Sequence, residues 1–187
     1  MTYVPIKVII EKDLRLLKGM ANIGFVSEET LINYKISKKR INQHIATKHV
    51  EIKKTIINTN LTNTYILSNI GKEIIKRKYS IDCYKGNIVN PNHDYVLSEF
   101  YSLLKPEEQD SWLNENTLYK LFNNKVEKTT DGLFISRKGL KIGIEVITNN
   151  YSKKDIYKKR EFIKNYCDDH IILHADNYKS YKFKKEA

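Results

Sequence analysis

The sequence predicts a mixed α+β chain in two parts. Three helices, a β-hairpin and a closing helix fall in residues 1–80, and a small α/β unit follows in residues 81–187. Three observations predict this. Apolar residues recur at helical spacing through most of the first 50 positions. β-Branched runs flank a cluster of turn formers between Val50 and Leu67. A strand–strand–helix–strand pattern fills the stretch from Gly132 to His174. A length of 187 residues suits one large domain or two small ones.

The elements follow in order. Leu14, Leu17 and Ala21 share one face of a helix over residues 10–22, and Gly24 supplies its C-cap. Ser27, followed by Glu28 and Glu29, caps a short helix over 28–34. Ser37 caps a third helix reaching about residue 48. Its inner face is Ile41 and Ile45, and its outer face is Lys39, Arg40, Gln43 and Thr47. Residues 50–57 and 64–67 read as strands joined by the turn-rich segment 58–63, and Ser68 caps a fourth helix. Residues 79–91 read as a linker or an initial strand. Val96 or Leu97, Phe100, Tyr101 and Leu104 line a helix over 94–104, ended by Lys105-Pro106. Residues 112–122 fit either a strand and turn or a short helix. Strands over 132–136 and 141–147 flank the Lys138-Gly139 turn. Ser152 caps a helix over 153–166, and 170–174 is the last strand.

Composition removes several classes. Seven Gly and three Pro rule out a collagen-like or low-complexity chain. No apolar run approaches the roughly 18 residues of a membrane span. The apolar start, residues 1–10, is too short for a secretory signal before Glu11 and Asp13. Cys83 and Cys167 form no Cys-x-x-Cys pattern, so neither a disulfide framework nor a zinc finger is expected and the reducing cytoplasm is the expected compartment. His170 and His174, with Asp168, Asp169 and Asp176 nearby, read as strand-end polar residues rather than metal ligands. Cys167 reads as a small buried residue.

Charge says more. The formal net charge is +11, and residues 1–82 hold 15 basic against 7 acidic side chains while residues 83–187 hold 18 against 15. The excess is therefore concentrated in the first half, notably at Lys35, Lys38, Lys39, Arg40, Lys48, Lys53 and Lys54. A second cationic cluster runs from Lys153 to Lys164. This distribution points to a polyanionic partner, double-stranded DNA above all, against the plainer reading of a solvated lysine-rich surface.

The order helix, short helix, helix, hairpin, helix is that of a winged helix-turn-helix. Such a module carries long polar side chains on the outer face of its third helix to reach base edges and phosphates. The expected DNA-binding residues are Lys38, Lys39, Arg40, Gln43, Thr47 and Lys48 on that helix. Lys53, Lys54, Asn60 and Asn63 on the hairpin would follow the backbone as a wing. The rival reading is a protein-contact module. Residues 10–78 resemble bacterial winged-helix regulators in the strand Tyr65-Ile66-Leu67-Ser68 and the Gly71-Lys72 helix that follows it.

A second pattern lies downstream. Asp131-Gly132 heads one strand, and Gly143-Ile144-Glu145-Val146-Ile147 lies on the next. Acids so spaced can converge on one divalent cation beside a scissile phosphate. A lysine two residues after the glutamate would point the same way, because strand side chains alternate. Residues 93–175 resemble the PD-(D/E)XK nuclease fold in these acids and in element order, which implies a small α/β restriction-endonuclease-like domain. Here Thr130 stands where the proline falls and Ile147 where the lysine falls, so Lys153 or Lys154 is the expected substitute. If the site is active, Asp131, Glu145 and Lys154 are catalytic and Asp131 and Glu145 hold Mg²⁺; if not, no cofactor is expected. Asp131 as a turn cap and Glu145 paired with a helix lysine is the structural alternative.

Taken together, the winged helix, His93-Asp94, Trp112 with Glu115, Asp131-Gly132-Leu133 and Glu145 resemble the replication-relaxation family of plasmid and mobile-element proteins. The resemblance implies a DNA-binding accessory of plasmid replication, mobilisation or transcriptional control. Its partners would be duplex DNA, a second copy in a homodimer, and a replication or mobilisation protein. An Mg-dependent endonuclease is the alternative.

Overall fold

The computed structural model describes residues 6, 8–86, 90–122, 125–149 and 151–175. Most of the apolar start and Asp176 lie outside them. The chain is a mixed α+β protein with seven α-helices and two sheets among the described residues.

Helix α1 (Glu11–Ile23) ends at Gly24, whose φ of 100° is the left-handed cap expected from the sequence. The short helix expected next is smaller. Ser27 belongs to strand β1 (Val26–Ser27), and its hydroxyl accepts from the Thr30 amide at 3.1 Å to cap a single 3-10 turn, Thr30–Ile32. Helix α2 (Lys38–Ala46) begins at Ser37, whose side chain accepts from the Arg40 amide.

Strands β2 (Val50–Ile57) and β3 (Asn60–Leu67) form a longer hairpin than the composition suggests. Asn58 and Thr59 both take positive φ, 47° and 69°, so two residues suffice for the turn and Asn60–Asn63 continue the strand. Strand β1 pairs with β3 on its other edge, giving an antiparallel sheet in the order β1-β3-β2. Helix α3 (Asn69–Tyr79), capped by Ser68, closes this region.

Helix α4 (Pro91–Leu103) starts three residues earlier than the apolar stripe implies, because Pro91 at the first turn opens the helix instead of ending a linker. Helix α5 (Pro106–Asp110) follows. Both readings of residues 112–122 hold in part: Leu113–Asn114 is strand β4 and Glu115–Leu121 is helix α6. Strands β5 (Gly132–Ile135) and β6 (Lys141–Ile147), helix α7 (Lys153–Tyr166) and strand β7 (Asp169–His174) complete the chain. The second sheet has the order β4-β5-β6-β7. Its first three strands are antiparallel, and β7 lies parallel to β6 through the α7 crossover.

One apolar cluster runs from Leu16 through Leu67 and Ile75 to Phe134, Ile144 and Ala175, so it crosses the boundary expected at residue 80. Polar ties follow it: Asn33 Nδ2 donates to Ser102 Oγ at 2.8 Å, Arg15 Nε to Gln109 Oε1 at 2.8 Å, and Tyr95 Oη to Glu29 Oε2 at 3.0 Å. Trp112 stacks on Phe134 at 6.1 Å between ring centroids and covers β5. Gly132 is required there, since a β-carbon at that position would sit 2.1 Å from the indole ring. On the opposite face of this sheet Leu118, Leu133 and Phe162 form a small second cluster under α7. No helix among the described residues is long and apolar enough to cross a membrane.

Candidate functional site

The antiparallel register pairs Gly132 with Ile144. Extended by one residue, it sets Asp131 across from Glu145, both on the face of the sheet that α7 covers. The alternation that buries Ile142, Ile144 and Val146 in the main core turns Glu145 the other way. The two carboxylates are thus neighbours because of strand pairing, as their spacing in the sequence predicts.

The lysine that joins them is Lys159, from α7. Its ammonium donates to Asp131 Oδ1 at 2.9 Å, to Glu145 Oε1 at 2.5 Å and to Tyr151 Oη at 3.0 Å. Only 5% of Lys159 is exposed. Lys154, the expected substitute, is exposed at the first turn of α7 and does not line the site. The correction has a geometric reason. Ile156, Lys159, Phe162 and Ile163 fall at spacings of three and four, so Lys159 sits within the apolar stripe that docks α7 on the sheet, whereas Lys154 lies off it. Ile147 leaves the strand position without an amine, and the helix supplies one from above.

His93, the third residue of α4, completes the cluster. Its Nε2 donates to Asp131 Oδ2 at 3.0 Å and its Nδ1 to Asp94 Oδ1 at 2.9 Å, while the Val146 amide donates to the same Asp131 Oδ2 at 2.7 Å. Burial disfavours the His93 cation, but the carboxylates of Asp131 and Asp94 outweigh it and raise its pKa to about 10. Burial likewise works against ionised Asp131, yet the His93 and Lys159 charges hold its carboxyl well below the usual range. Glu145 goes the other way: burial, reinforced by the Asp131 charge, raises its pKa despite Lys159. Glu115, on α6, is raised by burial and then by Asp131. Asp131, the Lys159 ammonium and His93 border a cavity of about 340 Å³, with the Glu145 carboxyl buried behind Lys159. The cavity is lined by Tyr84, His93, Glu115, Asp131, Tyr151 and Lys159.

Glu145 Oε2 is buried and has no hydrogen-bond partner among the described residues. An orphaned carboxylate oxygen beside Asp131 is a vacant acceptor that a divalent cation would satisfy. Among the described residues no group of three or more His, Cys, Asp or Glu is placed to hold a metal ion. Two carboxylates alone are the open set that suits Mg²⁺, which keeps waters and takes its remaining oxygens from a phosphate. Asp131 and Glu145 therefore fit as its protein ligands.

The expected DNA-facing residues divide. Lys38, Lys39, Lys48, Lys53, Lys54 and Asn60 are exposed, with Lys38 loosely paired to Glu28 at 3.4 Å. Lys53 and Lys54 stand on opposite faces of β2. Arg40, Gln43 and Thr47 are not an outer face. Arg40 Nε donates to Asp13 Oδ1 at 2.9 Å and Nη2 to the Val8 carbonyl at 2.8 Å. Gln43 Oε1 accepts from Arg40, and Thr47 Oγ1 accepts from the Ile6 amide at 3.3 Å. Asn63 donates to Glu28 Oε2 at 2.8 Å. The reason is His44, fully buried with Ile41 and 3.2 Å from the buried Asp13, which rotates the inner face of α2 towards Arg40. Compared with family models, with curated proteins and with solved structures, the chain matches none.

Proposed function

We propose that this chain binds duplex DNA and hydrolyses a phosphodiester bond in a divalent-cation-dependent site of PD-(D/E)XK type, on Asp131, Glu145 and Lys159. In this reading residues 1–80 are a winged helix-turn-helix and residues 81–187 an α/β restriction-endonuclease-like domain. The observation that carries it is the Lys159 ammonium bonded to both carboxylates in a solvent-connected cavity. A divalent cation bound by Asp131 and Glu145 would supply charge neutralisation at the phosphate and a more acidic bound water. The chain's own groups do the rest. Lys159 gives a fixed positive charge beside the phosphate oxygens, and Tyr151 Oη accepts from that amine. The exposed Lys38, Lys39, Lys48, Lys53 and Lys54 hold the DNA backbone.

A second reading is supported by a specific observation: Lys159 and His93 neutralise the acids, so the cluster is also a self-sufficient buried ion network. The chain would then be a non-cleaving, cytoplasmic accessory of a plasmid or mobile element. Its basic N-terminal region would hold DNA as a homodimer, alongside a replication or mobilisation protein, in keeping with the resemblance to the replication-relaxation family. Nicking of supercoiled plasmid in Mg²⁺ separates the two. Cleavage present in the wild type and lost in Asp131→Ala supports the nuclease. Duplex binding without cleavage by either protein supports the accessory.

A further inference from the structure

We infer that His93 is a positioning residue, which saturates one oxygen of Asp131 so that the other is aimed at the cation and phosphate; this rests on Asp131 and Glu145 being cation ligands. A carboxylate oxygen offers two lone-pair sites. Both on Asp131 Oδ2 are taken, by His93 Nε2 at 3.0 Å and by the Val146 amide at 2.7 Å. Among the described residues Oδ1 has one donor, Lys159 at 2.9 Å, which leaves one lone-pair site for a cation. Donors from α4, β6 and α7 converge on this carboxylate, which fixes its torsion and limits it to one open oxygen. Glu145 differs: Lys159 is the partner of Oε1, and Oε2 has none among the described residues.

His93 is itself held. Its second N–H goes to the buried Asp94 at 2.9 Å, and Pro91 at the start of α4 fixes the backbone two residues before it. Both ring nitrogens face carboxylates at hydrogen-bond distance, so the action of the ring is exerted through Asp131. Partners of this kind behind a metal ligand are typically worth about 10–100-fold in metal affinity.

The test uses the full chain and Mn²⁺ alone as probe, with affinity from titration calorimetry and folding from circular dichroism and thermal melts. His93→Gln keeps an amide near the imidazole Nε2, within reach of Asp131. His93→Asn keeps one near Nδ1, within reach of Asp94 only. The two variants differ by one methylene and share their chemistry, so each controls for the other's effect on folding. Asp131→Ala is expected to abolish Mn²⁺ binding. His93→Asn is expected to weaken it about 10–100-fold, and His93→Gln to stay within about threefold of the wild type. Equal affinity in the two folded amide variants overturns the inference, whether both match the wild type or both are weakened. Loss in folded His93→Gln alone overturns it as well. Unchanged Mn²⁺ affinity in Asp131→Ala overturns the cation-site reading instead, and the inference with it.

Discussion

The chain holds two buried ion clusters made from the same parts, one in each half. In the first, Asp13 of α1 faces Arg40 and His44 of α2, with His49 3.4 Å from His44. In the second, Asp131 faces Lys159 and His93, with Glu145 beside them. Each sets a carboxylate against a long cationic side chain and a histidine. They differ in what surrounds them. Asp13 and His44 are fully buried, and burial drives the His44 and His49 pKa values down. The Asp131 cluster opens into a polar cavity, contains a second acid with an unsatisfied oxygen, and keeps its histidine charged. The first cluster fastens one helix to another, and the second has room for a ligand. Composition does not distinguish them, whereas access does.

The largest expected effect breaks the first cluster. Asp13→Ala leaves Arg40 and His44 without their acceptor and should cost about 3–5 kcal/mol in urea denaturation. Lys159→Met should cost less stability, about 1–2 kcal/mol, because His93 still faces Asp131 and water can enter the cavity. It should nevertheless slow any Mg²⁺-dependent nicking by about 10²–10³-fold in a plasmid assay. Next comes the DNA grip. Lys38→Ala with Lys39→Ala should weaken duplex binding about tenfold and lower the salt slope by about 2, read from titrations at several salt concentrations. Arg40→Ala should change the melting temperature more than that slope, because its guanidinium is bound to Asp13.

The smallest effect is in the pH profile, where the histidines of the two clusters act in opposite directions. The folded pKa of His44 lies below the ordinary value of 6.5, so the unfolded chain takes up a proton that the folded one refuses. That part of the stability is lost as pH falls below about 6.5. The folded pKa of His93 is about 10, so its contribution is complete below 6.5 and lost as pH rises towards 10. Denaturation midpoints at pH 5.5 and at pH 9 should both lie below the midpoint at pH 7. His44→Gln should flatten the acid arm and His93→Gln the alkaline one.

Most of the fold was legible because local chemistry decided it. Ser37, Ser68 and Ser152 cap the helices they were expected to cap, β2 and β6 match their expected spans, and α7 runs over the expected residues. The misreadings arose where a long-range partner overrode local composition. Asn60–Asn63 look like a turn, but Thr64 and its neighbours already have β2 and β1 to pair with, so the strand extends back to Asn60. The pair Asp131 and Glu145 was readable because strand register is arithmetic. Lys159 was hidden among six cations in twelve residues, although its position between Ile156 and Phe162 was a signal: a lysine interrupting an apolar stripe. In the sequence His93 stands just ahead of the helical stripe and carries no further mark. Its contact with Asp131 spans 38 residues and leaves no periodic trace. Arg40 turns from the expected outer face to Asp13, whose need for a cation is invisible from α2 alone.

The apolar cluster running from Leu16 to Ala175 has a mechanical consequence. Hydrogen bonds from Asn33 to Ser102 and from Tyr95 to Glu29 tie the region carrying the α2 lysines to helix α4. On the proposed reading, such a molecule would act as a calliper of fixed span rather than two beads on a string. A duplex gripped at one jaw would meet the other at a set distance, dictated by side-chain packing and not by tether length.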